Sequence, residues 1–157
     1  MRHAQSRKGI TVVELVIVIA VIGVLSLVVF SPLARFRDSQ VLVSTAEQVI
    51  SLLYKARTDT IASKDAAQYG VHFEVGRAVL FKGATFTEPN SNNKELALPL
   101  LVRASTISLS GGGTDIVFDR LVGTTAQSGT IVLTLRNNAS STRTIAIGQT
   151  GTVELLK

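Results

Sequence analysis

The chain has 157 residues, enough for one domain with a core of its own and an appendage, but hardly for two full domains. The absence of cysteine excludes disulfides, thiolate metal sites and cysteine nucleophiles. Three of the 16 basic residues, Arg2, Arg7 and Lys8, precede the first apolar run. The rest of the chain has 13 basic and 11 acidic residues. This near balance argues against binding of DNA or acidic lipid by bulk charge.

An apolar run over residues 10–30 follows this basic start. Only Thr11, Glu14, Gly23 and Ser26 interrupt it. As a helix, the run would span about 31 Å, the thickness of a bilayer's hydrocarbon core. Its many β-branched residues also suit a buried strand or core helix, but its length argues against a strand and its apolarity on all sides argues against a soluble surface helix. We therefore expect residues 10–31 to form a transmembrane and assembly helix.

The charges that flank the apolar run predict its orientation. Four basic or potentially basic residues precede it: Arg2, His3, Arg7 and Lys8. Because basic residues favour the cytoplasmic side of a membrane segment, we expect a cytoplasmic N-terminus and an extracytoplasmic domain after Phe30. A secretory signal peptide would start in the same way, but residues 30–33 offer no convincing small-x-small cleavage site. The sequence therefore predicts a single-pass protein that keeps its hydrophobic segment.

Helical periodicity continues beyond Pro32. Proline lacks an amide hydrogen and disfavours helical geometry at the residue before it, so we expect a kink there. Over residues 42–61 the apolar side chains recur on one face, which is typical of an amphipathic helix. The expected buried residues are Leu42, Ala46, Val49, Ile50, Leu53 and Ile61. Residues 32–66 are thus predicted to continue the helix as an amphipathic segment that needs a surface to pack against.

From Tyr69 the spacing of apolar residues changes to two, as in strands. Val71, Phe73 and Val75 alternate with polar residues, and Gly76 precedes a second apolar stretch, which predicts a hairpin. Further strands are expected at residues 98–103, 106–110, 115–119, 130–136, 143–147 and 152–155, with loop-forming residues between them. The fold predicted is α+β: a long kinked helix, transmembrane in its first half, packed on an antiparallel β domain of residues 67–157.

Glu14 conflicts with the apolar run, because a carboxylate at mid-bilayer costs about 2.5 to 3.5 kcal/mol on insertion scales. One explanation is that its side chain reaches the headgroups and merely marks the membrane boundary. The other explanation requires a positive partner at the same depth. If the chain is cut before Ile10, the new α-amino group of the same or a neighbouring subunit supplies that charge, and the pair would set the register of assembly.

Residues 8–16 and the apolar residues behind them resemble the N-terminal motif of type IV prepilins, which pilins and type II secretion pseudopilins share. Gly9, Glu14 and Pro32 all stand where that motif has them. The resemblance implies a basic leader of residues 1–9, cleavage by a prepilin peptidase between Gly9 and Ile10, and N-methylation of Ile10. The usual first mature residue in the family is Phe, from which Ile10 departs. The resemblance also implies that Glu14 neutralises the N-terminus of a neighbouring subunit.

Three later segments resemble the GspH/FimT group of minor pseudopilins and minor pilins: residues 56–62, 116–123 and 148–154. This likeness implies a minor subunit near the filament tip, with an anchor in the bacterial inner membrane and a periplasmic domain before assembly into a pilus or pseudopilus. The implied partners are the prepilin peptidase, the inner membrane and other pilins or pseudopilins. No cofactor is implied.

Catalytic and metal sites find little support in the sequence. An extracytoplasmic serine triad would have His72 as its one base, with no nucleophile motif nearby. The stretch 111–114 leads into a strand and lacks the Lys-Ser/Thr of a phosphate-binding loop. Asp115 and Asp119 would share a strand face, but no loop of further oxygen ligands completes a calcium site. We expect no enzyme activity, no metal and no cofactor.

Two other functions stay open. Some FimT-like minor pilins take up DNA, and Arg120, Arg136 and Arg143 are the residues that could form a DNA-binding patch. Scattered arginines are more often solvated, and no basic tail ends this chain. The second is a single-pass anchor that displays an unrelated binding module without any filament. Such a protein would not need Gly9 or Glu14.

Overall fold

The computed structural model describes residues 9–156, apart from the side chains of residues 27–32 and 34. The chain divides into two compact units, Met1–Arg37 and Asp38–Lys157. The expected leader, except Gly9, and the side chain of Pro32, at which a kink is expected, lie outside the described residues. Within the part of the chain that is described, no helical stretch is both long enough and apolar enough to cross a bilayer.

One long helix precedes a purely antiparallel β region. Helix α1 spans Val12–Ile61, and a 3₁₀ turn follows at Lys64–Ala66. The strands of the described residues are β1 Tyr69–Glu74, β2 Arg77–Lys82, β3 Lys94–Ala97, β4 Val102–Leu109, β5 Asp115–Val117, β6 Gly129–Leu135, β7 Thr142–Ile147 and β8 Val153–Leu156. They form two four-stranded sheets, ordered β3-β2-β1-β5 and β4-β6-β7-β8. The α+β class predicted from the change in periodicity is confirmed.

The core of the second unit lies between α1 and both sheets. Leu42, Ala46, Val49 and Leu53, spaced by three and four residues, are at most 1 % exposed. They belong to the same buried cluster as Phe73, Phe118 and Ile131, among others, from the β region. Burying one large apolar side chain stabilises the fold by about 1.5 to 3 kcal/mol. The predicted amphipathic face is therefore the face that packs.

The last turn of α1 differs from the prediction. Ile61, expected in the core, is 38 % exposed, and Thr60 is fully buried in its place. The Thr60 hydroxyl donates to the Ala56 carbonyl over 2.8 Å and accepts the amide hydrogen of Tyr69 over 2.9 Å. Because its polar group is satisfied, threonine can occupy a core position that a count of apolar residues overlooks.

The strand predicted at residues 98–103 is wrong over its first four residues, and the break predicted between it and the strand at 106–110 is absent. The chain instead forms β3 before this region, turns at residues 99–101, and continues through β4 without a break. Pro99 cannot donate to a sheet, which ends the pairing of the preceding strand. The register of β4 against β6 shifts at Ser105, which forms a bulge. Ser105 Oγ contacts the Val132 carbonyl at 3.1 Å, so the bulge itself is bonded to the sheet.

The connection from α1 to β1 is held in an unusual conformation. Ser63, Asp65 and Ala66 have φ values of 50°, 52° and 51°, which cost roughly 1 to 2 kcal/mol per non-glycine residue. Side chains fix this turn: the Tyr69 hydroxyl donates to Asp65 over 2.8 Å, and Lys82 lies 3.5 Å from the same carboxylate. Burial, with help from Asp65, raises the pKa of Tyr69 to about 12, and the Tyr69 hydrogen bond lowers the pKa of Asp65.

Candidate functional site

The N-terminal segment carries Gly9, Ile10 and Glu14 within half a dozen residues. Gly9 and Ile10 are exposed and non-helical, and α1 begins two residues later. Thr11 caps the helix, because its Oγ1 accepts the amide hydrogen of Glu14 over 3.2 Å. A threonine followed three residues later by a glutamate is the capping-box pattern, a local signal for this cap that the sequence analysis missed. Glu14 thus lies in the first turn, where the helix dipole favours a carboxylate.

Gly9 has no packing role among the described residues. A Cβ atom added to it would meet no atom within 4 Å, and its φ lies outside the left-handed region that favours glycine. Neither a close approach nor a turn within the described part of the subunit therefore calls for glycine at this position.

The helix behind this segment is exposed on all sides. Every residue from 9 to 25 is exposed, and the large apolar side chains range from 48 % at Val18 to 79 % at Ile10. Ser26 donates its hydroxyl hydrogen to the Ile22 carbonyl over 2.7 Å, so this polar group is satisfied within the helix. A contiguous apolar surface of this kind marks a site that lipid or another protein covers.

In the second unit, Arg57 joins the segments that carry the GspH/FimT likeness. Its Nε donates to the Gly123 carbonyl over 3.0 Å, and a terminal guanidinium nitrogen donates to the Thr150 carbonyl over 3.3 Å. The Thr125 amide donates to the Gln149 carbonyl over 2.9 Å and links the same two loops. Residues 56–62, 116–123 and 148–154 are therefore neighbours in space.

Two glycines allow the close approach around Arg57. A Cβ atom on Gly123 would lie 2.6 Å from the Ile61 side chain, and one on Gly151 would lie 1.9 Å from the Gly123 carbonyl oxygen. Both glycines also have positive φ values, of 73° and 74°. The Arg57 cluster, defined as Arg57, Gly123, Thr150 and Gly151, is thus a packing site whose side chains and backbone stabilise the fold.

A second charged cluster ties the loop of residues 83–93 to the sheet. Arg77 forms paired hydrogen bonds to Glu74, at 2.9 and 2.7 Å, and to Glu88, also at 2.9 and 2.7 Å. It also donates to Glu95 over 3.2 Å. Hydrogen bonds from Arg77 lower the pKa of Glu74 and of Glu88, and these carboxylates raise the pKa of Arg77.

His72 does not have the contacts that a serine triad requires of its base. Its Nδ1 faces Asp115 and also lies 3.4 Å from the Thr114 hydroxyl, whereas a triad needs the acid and the nucleophile on opposite ring nitrogens. The ring stacks on Phe86 with centroids 4.0 Å apart.

Asp119 lies beyond the end of β5 and accepts a hydrogen bond from Thr124, so it does not share a strand face with Asp115 as expected. Within the described residues, no group of three or more His, Asp or Glu side chains could hold a metal ion.

The structure does not bring the three candidate DNA-binding arginines into one place. Arg120 donates to the Ser63 hydroxyl, just beyond the C-terminal end of α1. Arg136 follows β6, next to Asn137, whose amide donates to Asp38. Arg143 is the second residue of β7, at the same end as Arg136. The helical path from residue 38 to residue 61 rises about 35 Å, so Arg120 lies far from the other two.

Comparisons with known proteins agree with this architecture. The family model described as Type II transport protein GspH matches residues 45–151, more than half of the chain. No curated protein sequence matches the chain significantly. The type IV minor pilin FimU of Pseudomonas aeruginosa has a similar structure in two crystal forms. The first form has 16% sequence identity and a TM-score of 0.55, and the match covers 74% of this chain and 93% of FimU. The second has 14% identity and a TM-score of 0.59, and the match covers 78% of this chain and 92% of FimU. At these identities the likeness to FimU shows the shared fold alone, whereas the family match shows that the chain belongs to the GspH family of minor pilins and pseudopilins.

Proposed function

We propose that the chain is a minor pilin or pseudopilin subunit of a type II secretion or type IV pilus system, which assembles through its N-terminal helix near the filament tip. The observation that carries this proposal is the exposure of residues 9–25, an apolar helix surface that needs a cover. Lipid tails and neighbouring helices can both cover such a helix, so it can leave the bilayer when filament packing replaces lipid. FimU, which has a similar fold, is a type IV minor pilin, which supports a role as a minor subunit.

Before assembly, the subunit is anchored once in the bacterial inner membrane, with its C-terminal domain in the periplasm. Residues 10–30 form an apolar run that would span about 31 Å as a helix. Basic residues precede the run and favour a cytoplasmic N-terminus. The length and apolarity of this run thus support the membrane anchor, and its flanking charges support the orientation.

The bond between Gly9 and Ile10 is the proposed site of prepilin peptidase cleavage, after which Ile10 is N-methylated. Both residues are exposed and non-helical, as protease substrates generally must be. Because Gly9 has no packing role among the described residues, recognition by a partner is a sufficient reason for a glycine there. Cleavage would place a new positive charge just ahead of the Thr11 cap, where it opposes the helix dipole.

Glu14 offsets that charge, and we propose that it pairs with the N-terminus of a neighbouring subunit. The capping box offers a competing reason for an acidic residue at this position, since its Glu side chain can bond back to the cap residue. The two roles make different demands. Capping needs a side-chain oxygen, which glutamine also supplies, whereas pairing needs a negative charge.

The intact mass of the membrane-extracted chain, with and without a co-expressed prepilin peptidase, tests the processing step. We expect a product that starts at Ile10, with the mass of one added methyl group, when the peptidase is active. A chain that keeps residues 1–9 in the presence of active peptidase would overturn the proposal and favour a plain membrane anchor for a binding domain.

Incorporation into the filament tests the role of Glu14. Glu14→Gln keeps the capping oxygen but removes the charge, so we expect normal membrane insertion and loss of incorporation. Thr11→Ala is the matched variant, because it removes the cap and leaves the carboxylate in place; we expect it to assemble. If Glu14→Gln assembles as well as the wild type, the pairing of Glu14 with a neighbour is wrong.

A further inference from the structure

Leu100, in the second unit, is an apolar residue that is exposed to solvent over 93 % of its surface. It lies in the turn between β3 and β4, which is closed by a hydrogen bond from the Val102 amide to the Pro99 carbonyl over 2.8 Å. The Arg136 amide donates to the Leu101 carbonyl over 2.8 Å and joins this turn to the end of β6. A well-bonded turn therefore presents Leu100, instead of leaving it on a loose loop.

Three arginines lie at this end of the sheet. Arg103 is the second residue of β4, Arg136 directly follows β6, and Arg143 is the second residue of β7. The register confirms that they share one end, since Val102 pairs with Leu135 and Thr134 pairs with Thr142. Residues 99–109 and 129–147 contain no acidic residue. The near balance of charge over the whole chain thus conceals a local excess of basic residues at this end of the sheet.

The same end is joined to the beginning of the second unit. Asn137, in the turn between β6 and β7, donates to the Asp38 carboxylate over 2.8 Å. Eight residues of chain lead from Phe30, the end of the apolar run, to Asp38. In any conformation a chain of that length spans at most roughly 29 Å, so the covalent link sets an upper limit on the distance from Phe30 to Asp38.

We propose that this end, here called the Leu100 tip (residues 99–101 and 136–141 with Arg103 and Arg143), docks on an anionic phospholipid surface before the subunit joins a filament. Leu100 enters the boundary between headgroups and acyl chains, and the arginines bind lipid phosphates through paired hydrogen bonds. The inference rests on the proposed membrane anchor, which brings the tip within reach of the bilayer. Docking would hold the domain in one orientation while the subunit waits for partners.

Tryptophan fluorescence of the full chain in vesicles can test this docking, because the protein contains no tryptophan of its own. Leu100→Trp places the probe at the tip. Leu121→Trp is the matched control: Leu121 is also an exposed leucine, at 70 %, but its turn packs beside Ile61 and the far end of α1. The vesicles contain phosphatidylcholine alone or phosphatidylcholine mixed with phosphatidylglycerol, and brominated lipids serve as quenchers.

We expect the Leu100→Trp emission to shift to the blue and to be quenched by brominated lipid in the anionic vesicles, and less so in phosphatidylcholine. The Leu121→Trp emission should remain accessible to a water-soluble quencher in both. Adding Arg103→Gln and Arg136→Gln to Leu100→Trp should lower the ratio of docked to free domain about fivefold for each arginine. Arg120→Gln, at the other end of the helix, should leave that ratio unchanged.

Equal access of a water-soluble quencher to both probes in anionic vesicles, with the chain still floating with the lipid, would overturn docking and leave the membrane anchor intact. A chain that does not float with vesicles at all would overturn the proposed anchor, and docking with it. The full chain could instead bind duplex DNA, with the two arginine changes abolishing that binding and brominated lipid failing to quench Leu100→Trp. This result would overturn docking in favour of nucleic-acid binding.

Discussion

Arg57 and Gly123, which lie 66 residues apart in sequence, are joined by a hydrogen bond from Arg57 Nε to the Gly123 carbonyl oxygen over 3.0 Å. The same guanidinium donates to the Thr150 carbonyl. Both carbonyls belong to loops, and among the described residues no backbone amide of a strand donates to either of them. One side chain on α1 therefore stabilises two loops, and the three segments that carry the family likeness depend on each other through it.

Replacing Arg57 should test this dependence. Arg57→Ala leaves the partly buried Gly123 carbonyl and the exposed Thr150 carbonyl without their charged donor, so we expect the free energy of unfolding to fall by about 1.5 to 3 kcal/mol. Arg57→Lys keeps the charge but cannot span both carbonyls, so its free energy of unfolding should lie between those of the wild type and Arg57→Ala. Denaturant unfolding of the full chain in detergent measures both changes.

Lys55→Ala is the control for that series, since Lys55 lies on the same helix and forms an exposed pair with Asp59 at 3.2 Å. Exposed pairs of this kind contribute about 0.5 kcal/mol or less. An Arg57→Ala protein no less stable than Lys55→Ala would contradict a stabilising role for the guanidinium.

Gly151→Ala should be among the most damaging small substitutions in the chain. Its Cβ would lie 1.9 Å from the Gly123 carbonyl oxygen and 2.7 Å from Arg57 Nε, at a φ of 74°. Because the nearest atom is backbone, the loops must move apart, and we expect a loss of about 3 kcal/mol or more. Gly76→Ala, where a Cβ would meet no atom within 4 Å, should change stability by at most about 0.5 kcal/mol in the same unfolding measurement.

Thr60 allows a test of one buried hydroxyl. Thr60→Val keeps the shape of the side chain but leaves the Tyr69 amide without its acceptor, so we expect a loss of about 1 to 3 kcal/mol. Thr60→Ser keeps the hydroxyl and loses one methyl group, which should cost about 1 kcal/mol. Thermal unfolding followed by circular dichroism compares the two; a Val variant more stable than the Ser variant would show that the hydroxyl does not matter.

The ion pairs of Arg77 with Glu74 and Glu88 should make the protein sensitive to acid. Glu74 and Glu88 have lower pKa values in the folded state than their ordinary value of 4.5, so they contribute stability above pH 4.5 that is lost as the pH falls through the folded values. Arg77→Gln removes the cause of both shifts. We expect its melting temperature to lie below that of the wild type at neutral pH, and the difference to shrink below pH 4.5. A difference that is constant with pH would contradict this assignment.

Local pattern predicted much of the second unit. The spacing of Leu42, Ala46, Val49 and Leu53 predicted the buried face of α1, because helical geometry alone places these residues on one side. The alternation from Tyr69 predicted the β1–β2 hairpin for the same local reason. The pattern failed where a specific contact or backbone feature outweighs the usual preference of a residue. Thr60 is buried because its hydroxyl bonds the Tyr69 amide. Pro99 ends the pairing of β3, and the bulge at Ser105 lets β4 continue as one strand.

By itself, the sequence determined the apolar segment, the change from helix to strands, and the Gly9, Ile10 and Glu14 pattern, because each depends on residues that are close together in the chain. Only the tertiary structure decided that Arg57 meets Gly123 and Thr150, that Arg77 gathers three carboxylates, and that Leu100 lies with Arg136 at one end of a sheet. These contacts join residues that are distant in sequence, and hydrophobic periodicity contains no information about which loops meet.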